Sequence, residues 1–245
     1  MPLFFLNREN IHGEVAHFSP EESKHIRRVY RLKPGDSLMA FDEEGSRYIL
    51  SLIDETSKQV IARIEEVIQL GEVDRVGIHL GVGIPKGDRF DYILQKSTEL
   101  GVGEIIPFIS SRTVARIPPE KRAMKVTRWE RIVREAVKQC GAPHAPRVRK
   151  ILSLKDALSQ YLQCPLKIIL YEETFEFTLK KVLSDNPVPP EIAILIGPEG
   201  GFPRSEVELA GEVGFIPAGL GRNILRVETA AIAALAMVQY HYENL

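Results

Sequence analysis

A chain of 245 residues, 44% apolar and 27% charged, with 18 Gly and 16 Pro, has the make-up of an ordinary globular protein. It is long enough for one large domain or two smaller ones, with a sizeable core. With 32 Lys and Arg against 33 Asp and Glu the formal net charge is −1, which argues against a basic polyanion-coating tail and against an acidic disordered chain. The two cysteines, Cys140 and Cys164, stand in no paired motif, so two buried thiols are expected rather than a disulfide scaffold or a cysteine zinc site. The apolar run at residues 1–6 is too short for a signal segment and lacks a basic flank, and no window approaches the ~20 apolar residues of a membrane span. A soluble, cytoplasmic protein is expected.

The neutrality is uneven along the chain. Residues 1–75 hold 10 basic and 14 acidic side chains, residues 76–150 hold 15 and 7, and residues 151–245 hold 7 and 12. Within the acidic first segment, Lys24, Arg27, Arg28, Arg31 and Lys33 fall in ten residues that contain no acid. Such stretches suit a phosphate-backbone track, or alternatively a solvated helix face.

The first seventy residues read as mostly β. A short helix is expected over 20–29, with Ser19 as N-cap, Pro20 at its first position and Glu21 and Glu22 in its first turn. Alternating strands follow at 37–41, 47–53 and 59–67, separated by the turns Lys33-Pro34-Gly35-Asp36 and Asp42-Glu43-Glu44-Gly45. From about Val76 strands and helices alternate. Strands are expected at 76–84, 104–109, 148–152, 166–171, 192–196 and 215–217, and helices at 88–100, 120–140, 154–161, 178–183, 205–212 and 228–242. This rhythm predicts a mostly parallel sheet covered on both faces. The boundary between a barrel-like module, 1–72, and an α/β domain, 73–245, is placed near residues 70–75.

Two loops carry the clearest chemical signal. Ile196-Gly197-Pro198-Glu199-Gly200-Gly201-Phe202 directly follows an apolar strand, and Pro217-Ala218-Gly219-Leu220-Gly221-Arg222-Asn223-Ile224-Leu225-Arg226 follows the next one. Glycines at the carboxyl ends of parallel strands let a flat ligand approach the main chain. The plainer alternative is a pair of tight turns. A third cluster, Gly81-Val82-Gly83-Ile84-Pro85-Lys86-Gly87-Asp88, lacks the Gly-Lys-Ser/Thr ending of a P-loop and the third glycine of a dinucleotide fingerprint. The histidines at 12, 17, 25, 79, 144 and 241 show no metal spacing, and His79, in an apolar strand, reads as a satisfied core residue. No metal is expected, and no nucleophile elbow or cysteine–histidine pairing stands out.

The loop Ile196–Phe202, followed by Leu220-Gly221-Arg222-Asn223-Ile224-Leu225-Arg226-Val227-Glu228-Thr229-Ala230, closely resembles the signature loops of the SPOUT superfamily of RNA methyltransferases. Within that superfamily the chain is similar to the 16S ribosomal RNA (uracil-N3)-methyltransferase family. Three further segments agree: His25-Ile26-Arg27-Arg28-Val29-Tyr30-Arg31-Leu32-Lys33-Pro34-Gly35-Asp36 with its N-terminal PUA-like module, Gln95-Lys96-Ser97-Thr98-Glu99-Leu100-Gly101-Val102 with its first methyltransferase helix, and Glu135-Ala136-Val137-Lys138-Gln139-Cys140-Gly141 with a later helix. Two positions where the family usually carries arginine hold Ala142 and Asn223 here.

The resemblance implies an α/β fold: a parallel-sheet trefoil-knot (SPOUT) methyltransferase domain behind a PUA-like RNA-binding β-barrel. It implies S-adenosylmethionine (SAM) as cofactor, a homodimer packed through the knotted regions, and a target uridine in the decoding region of the 16S rRNA of the small ribosomal subunit. The cofactor-binding residues it points to are Tyr171, Glu172, Ile196, Gly197, Pro198, Gly200, Gly201, Ile216, Leu220, Gly221, Asn223, Ile224 and Leu225.

Methylating uridine at N3 requires loss of the N3 proton and stabilisation of an imide anion, for which cationic forks are the natural device. Arg28 and Arg31 of the N-terminal module and Arg222 and Arg226 beside the cofactor are the candidates. Glu199 is either the proton acceptor or a carboxylate tying its loop to backbone amides. Lys24, Arg27, Arg28, Arg31, Lys33, Arg112, Arg116, Lys121 and Lys125 form the expected RNA track. The alternatives are a sister enzyme of the same fold acting on another rRNA or tRNA base, and a non-catalytic RNA-binding or assembly protein.

Overall fold

The computed structural model describes residues 1–55, 59–68, 76–174 and 177–243; the expected module boundary at 70–75 lies outside them. The chain forms two compact units, Met1–Val73 with Val137–Ala145, and Asp74–Ala136 with Pro146–Leu245.

In the first unit the strands are β1 (Leu3–Phe5), β2 (Ile11–His12), β3 (Val15–His17), β4 (Ser37–Phe41), β5 (Arg47–Glu55) and β6 (Val60–Ile68), in the sheet order β1-β4-β5-β6-β3-β2. Only the β1–β4 pair is parallel. Phe4, Phe18, Ile26, Leu38 and Leu50 fill its core. Helix α1 (Pro20–Lys24) starts as the sequence dictates, with Ser19 Oγ accepting from the Glu22 amide at 3.2 Å. Ser23 Oγ ties the helix to the sheet, donating to Phe18 O at 3.2 Å and accepting from Val60 N at 2.9 Å.

The expected helix over 20–29 is not continuous. After Lys24 the chain widens into a π-helical turn, His25–Tyr30, and stops at Arg31, whose φ is +55°. The amides of Arg31 and Leu32 both donate to Ile26 O. This is a Schellman-like closure that usually calls for glycine. The three shortest N-terminal strands escape sequence reading because two or three residues display no alternation.

At the other side of this unit, Val137 packs with Phe5 and Phe41. Lys138 makes an ion pair with Glu22, the two side chains being 11% and 8% exposed.

The second unit contains β7 (Gly77–Gly83), α2 (Arg89–Glu99), β8 (Glu104–Ile109), α3 (Pro119–Cys140), β9 (Arg147–Val148), β10 (Leu152–Ser153), α4 (Leu154–Gln160), β11 (Leu166–Leu170), α5 (Leu179–Asp185), β12 (Glu191–Ile196), α6 (Arg204–Glu212), β13 (Ile216–Ala218) and α7 (Val227–His241), except that the end of α3 from Val137 belongs to the first unit. The sheet runs β10-β8-β7-β12-β11-β13, every pair parallel, with β9 also on β8. Along β12, Ile192, Ile194 and Ile196 face one core, shared with α2, α5 and α7. Ala193 and Leu195 face the other, shared with α4 and α6. Burial on both faces is what makes such strands read as unbroken apolar runs.

Three expectations need correction. The strand expected over 148–152 is two short ones, β9 and β10, that pair with the beginning and end of β8. Cys164 is buried, but Cys140 is exposed at the end of α3. His79 is not a satisfied core residue: its ring lies between two carboxylates, with Nδ1 3.6 Å from Glu104 and Nε2 3.6 Å from Glu191.

Glu104 beside it lifts the His79 pKa above its ordinary value, against the burial that would lower it, and Glu191 adds to the rise. Burial acts to raise the Glu104 carboxyl, but His79 and Arg149 (Nε at 2.5 Å) prevail and hold it below its usual value. The histidine's contribution to stability is therefore full below roughly pH 6.5, its unfolded pKa, and fades as pH rises through the higher folded value. The advantage of the parent over His79→Gln in thermal midpoint is expected to be larger at pH 6 than at pH 8.5. An equal advantage at both would show that the ring acts by packing alone.

Candidate functional site

The parallel strands β11, β12 and β13 end side by side, and the segments leaving their carboxyl ends build one cavity of about 380 Å³. That volume is in the range of small-molecule sites, and the position is where α/β sheets bind ligands.

The first wall is the loop after β12. It folds back on itself through a 2.8 Å bond from Gly201 N to Pro198 O, with Gly201 at φ +65°. Three neighbours hold it. Phe202 is buried and stacked on Phe108, ring centroids 6.0 Å apart. Arg112 Nη1 donates to Gly200 O at 2.9 Å. On the side of β7, Glu199 Oε1 accepts from both Lys86 N and Arg89 Nη1, each at 2.8 Å.

The second wall is the loop from Gly219 to Arg226, which leads into α7. It is interlaced with the segment after β11: Gly219 N donates to Phe177 O at 2.8 Å, and Gly219 O accepts from Leu179 N at 3.0 Å. A Cβ at Gly219 would lie 2.5 Å from the carbonyl oxygen of Thr174, so only glycine fits at this crossing. The third wall is Tyr171 and Glu172, with Tyr171 N bonded to Ala218 O at 3.0 Å. The Tyr171 hydroxyl donates to Glu173 Oε2 at 2.6 Å, and that bond, with burial and the nearby carboxylates, pushes its pKa up to about 12. It is a donor at neutral pH and not a base.

Of the residues expected to bind cofactor, Tyr171, Glu172, Ile196, Gly197, Pro198, Gly201, Leu220, Gly221, Asn223, Ile224 and Leu225 line this cavity. Gly200 and Ile216 do not. Gly200 packs against Arg112, where a Cβ would sit 3.0 Å from the arginine's own, and Ile216 packs on the core. Glu199, Arg222 and Arg226 also line the cavity, whereas Arg28 and Arg31 lie in the first unit. Lys24, Arg28, Arg31 and Lys33 are exposed there, and Arg27 is half-buried with Nε on Ser23 O at 3.3 Å. In the second unit Arg116 and Lys121 are exposed, Arg112 is spent on the loop, and Lys125 lies with Nζ 5.7 Å over the Trp129 ring.

Arg89, Leu170, Phe202, Ala218, Val227 and Ala230 complete the lining; Phe202, Ala218, Val227 and Ala230 belong to the signature segments, whereas Arg89 and Leu170 lie outside them. Arg89 is the instructive omission. It directly follows the glycine cluster at 81–88, and it reaches the site because β7 and β12 are sheet neighbours, Val82 opposite Ile196. No local pattern announces a parallel pairing between strands so far apart in sequence. Among the described residues there is no group of three or more side chains suited to a metal ion, and no helix long and apolar enough to cross a membrane.

Comparison with known proteins agrees with this architecture. Residues 72–239 match the RNA methyltransferase domain family, and residues 18–65 match the RNA methyltransferase PUA domain family. Ribosomal RNA small subunit methyltransferase E of Bacillus subtilis (strain 168) is 31% identical over 229 residues, 92% of this chain and 90% of that one. The crystal structure of the enzyme of the same name from Neisseria gonorrhoeae, bound to S-adenosyl methionine, superposes with a TM-score of 0.84 at 32% identity, covering 99% of this chain and 98% of that one. A methyltransferase structure from Legionella pneumophila, in complex with bound cofactor SAM, gives a TM-score of 0.87 at 36% identity over 97% and 96%. The fold class is the one the resemblance implies, a parallel-sheet SPOUT domain preceded in the sequence by a PUA-like module. With its cavity on the glycine loops at the carboxyl edge of the sheet, the chain belongs to the ribosomal RNA small subunit methyltransferase E family of RNA methyltransferases.

Proposed function

We propose that the protein transfers a methyl group from SAM to N3 of one uridine in the decoding region of 16S rRNA, acting as a homodimer on the small ribosomal subunit. The observation that carries this reading is the cavity itself: glycine loops on two successive strand ends, walled by acid on one side and arginine on another. The residues suit the cofactor. A volume of about 380 Å³ accommodates a nucleoside, and Glu172 and Glu199 on the lining suit a cationic sulfonium. Tyr171, Glu172, Ile196, Gly197, Pro198, Gly201, Leu220, Gly221, Asn223, Ile224 and Leu225 would hold it.

When bound, SAM supplies the electrophilic methyl carbon. The chain's own residues do the rest. Arg222 and Arg226, on the cavity lining, place donors where charge develops on the uracil carbonyl oxygens as N3 loses its proton. Glu199 presents Oε2 to that proton, because Oε1 is already committed to Lys86 N and Arg89. Arg28 and Arg31 of the N-terminal module are further candidates for meeting the base or its phosphates. Lys24, Arg27, Lys33, Arg116, Lys121 and Lys125 continue the RNA track. Arg112 belongs with the loop it holds.

Support for the homodimer comes from α7. Its residues are apolar almost all round, yet Met237 is 45% exposed and Tyr240 82% exposed. A helix of that composition is normally covered on every side. Tyr240→Lys is expected to convert the dimer to monomer in light scattering; an unchanged mass would exclude this face.

The reading is tested by incubating the protein and labelled SAM with unmodified small subunits or naked 16S rRNA, then analysing nucleosides by mass spectrometry. 3-Methyluridine is expected. Another methylated base would move the reading to a sister enzyme, and no transfer to either RNA would overturn it.

A further inference from the structure

The first unit carries an exposed aromatic ring where the fold has no need of one. Tyr30 ends the π-helical turn and is 52% exposed, and its neighbour Val29 is 63% exposed. The Tyr30 ring is not loose. It packs edge-to-face at 5.3 Å on Phe4, which is itself buried in the core. The turn that presents it is maintained against local preference: an extra residue widens the helix, and Arg31 is held at φ +55°, a left-handed conformation that disfavours any residue but glycine. Strain kept at an exposed position marks a place where presentation matters.

The charge around the ring in sequence is entirely positive. Lys24, Arg28, Arg31 and Lys33 are exposed, and none is ion-paired among the described residues. An anchored aromatic within a run of unpaired cations is the pattern by which proteins hold unpaired nucleic acid: cations track the phosphates, and a ring stacks on a base. A protein partner's apolar contact would not call for four unneutralised cations beside it.

We propose that Tyr30 is a stacking platform for one unpaired nucleobase of the RNA substrate, set on the π-helical turn so that Arg28 and Arg31 meet the flanking phosphates. This rests on the RNA-directed reading above and deepens it, because it assigns base contact as well as charge to the N-terminal module.

The test uses the full chain and two single-stranded probes of equal length and charge, oligouridine and its abasic counterpart, with binding followed by anisotropy across a salt series. The parent is expected to prefer oligouridine. Tyr30→Ala should weaken oligouridine binding at least about fivefold and abolish the preference, while Tyr30→Phe retains it. The salt slope should stay that of the parent, since no phosphate contact is removed. Thermal unfolding and far-UV circular dichroism that match the parent verify that Tyr30→Ala folds.

Parent-like oligouridine binding by Tyr30→Ala, or equal losses on both probes, overturns the platform while leaving the RNA reading intact. So does a change of oligomeric mass in Tyr30→Ala with RNA binding unaltered, which would assign the ring to a protein contact. Absence of salt-dependent binding by the parent to either probe removes the RNA reading and the platform with it.

Discussion

Gly83→Ala is expected to lower SAM affinity at least about tenfold, equivalent to roughly 1.4 kcal/mol, in a protein that still folds. Gly83 is the last residue of β7, in the middle of the sheet between β8 and β12. A Cβ there would stand 2.6 Å from both the nitrogen and Cδ of Pro198, and 3.0 Å from the carbonyl carbon of Gly197. These are backbone and ring atoms that cannot rotate away, so the displacement passes into the loop that forms the first wall of the cavity. Overpacking of this kind costs typically 1–3 kcal/mol. Two other glycines calibrate the result. At Gly81 the nearest atom to an added Cβ is Leu195 Cδ1 at 2.8 Å, the end of a flexible side chain, so Gly81→Ala should act more weakly. Gly211, exposed in α6, has nothing within 4 Å, and Gly211→Ala should be neutral or slightly stabilising. Calorimetric titration of the three variants with SAM decides the matter; parent-like affinity in Gly83→Ala would falsify the placement of the cofactor on this loop.

Lys138→Met is expected to cost about 3 kcal/mol of stability. Glu22 and Lys138 are almost wholly withdrawn from water, and removing one member of a buried ion pair leaves the other charge without its main compensation. The charge itself is not required: replacing both with apolar or neutral groups of similar size restores much of the loss in comparable cases. Denaturant unfolding of Lys138→Met, Glu22→Gln and the double variant should therefore give a double-mutant cycle with strong positive coupling. Additive losses would mean that the pair contributes little beyond its separate packing.

Much of this molecule was legible from residue order because the relevant signals are local. Ser19 announced α1 through its own cap, and the apolar run ending in Gly197-Pro198 announced both β12 and the loop that walls the cavity. What stayed hidden is what depends on pairing at a distance. Parallel neighbours leave no mark on each other's sequence, so nothing in Lys86 or Arg89 foretold their bonds to Glu199, and a glycine cluster that fits no nucleotide motif packs, through Gly83, against the loop after β12. The break at Lys24 was hidden for a different reason. A π-helical turn inserts one residue without disturbing composition, and Arg31 occupies a left-handed position where the sequence offers none of the usual glycine.

The crossing at Gly219 also bears on when the protein becomes competent. β13 pairs with β11 through Ile216 opposite Ile168, and the amide and carbonyl of Gly219 are fastened to Phe177 and Leu179, so two of the three walls require residues beyond 215. A chain that has folded only through α6 holds most of the sheet yet lacks the cavity proposed for SAM. Two of the three walls therefore exist only once β13 and the loop after it are in place.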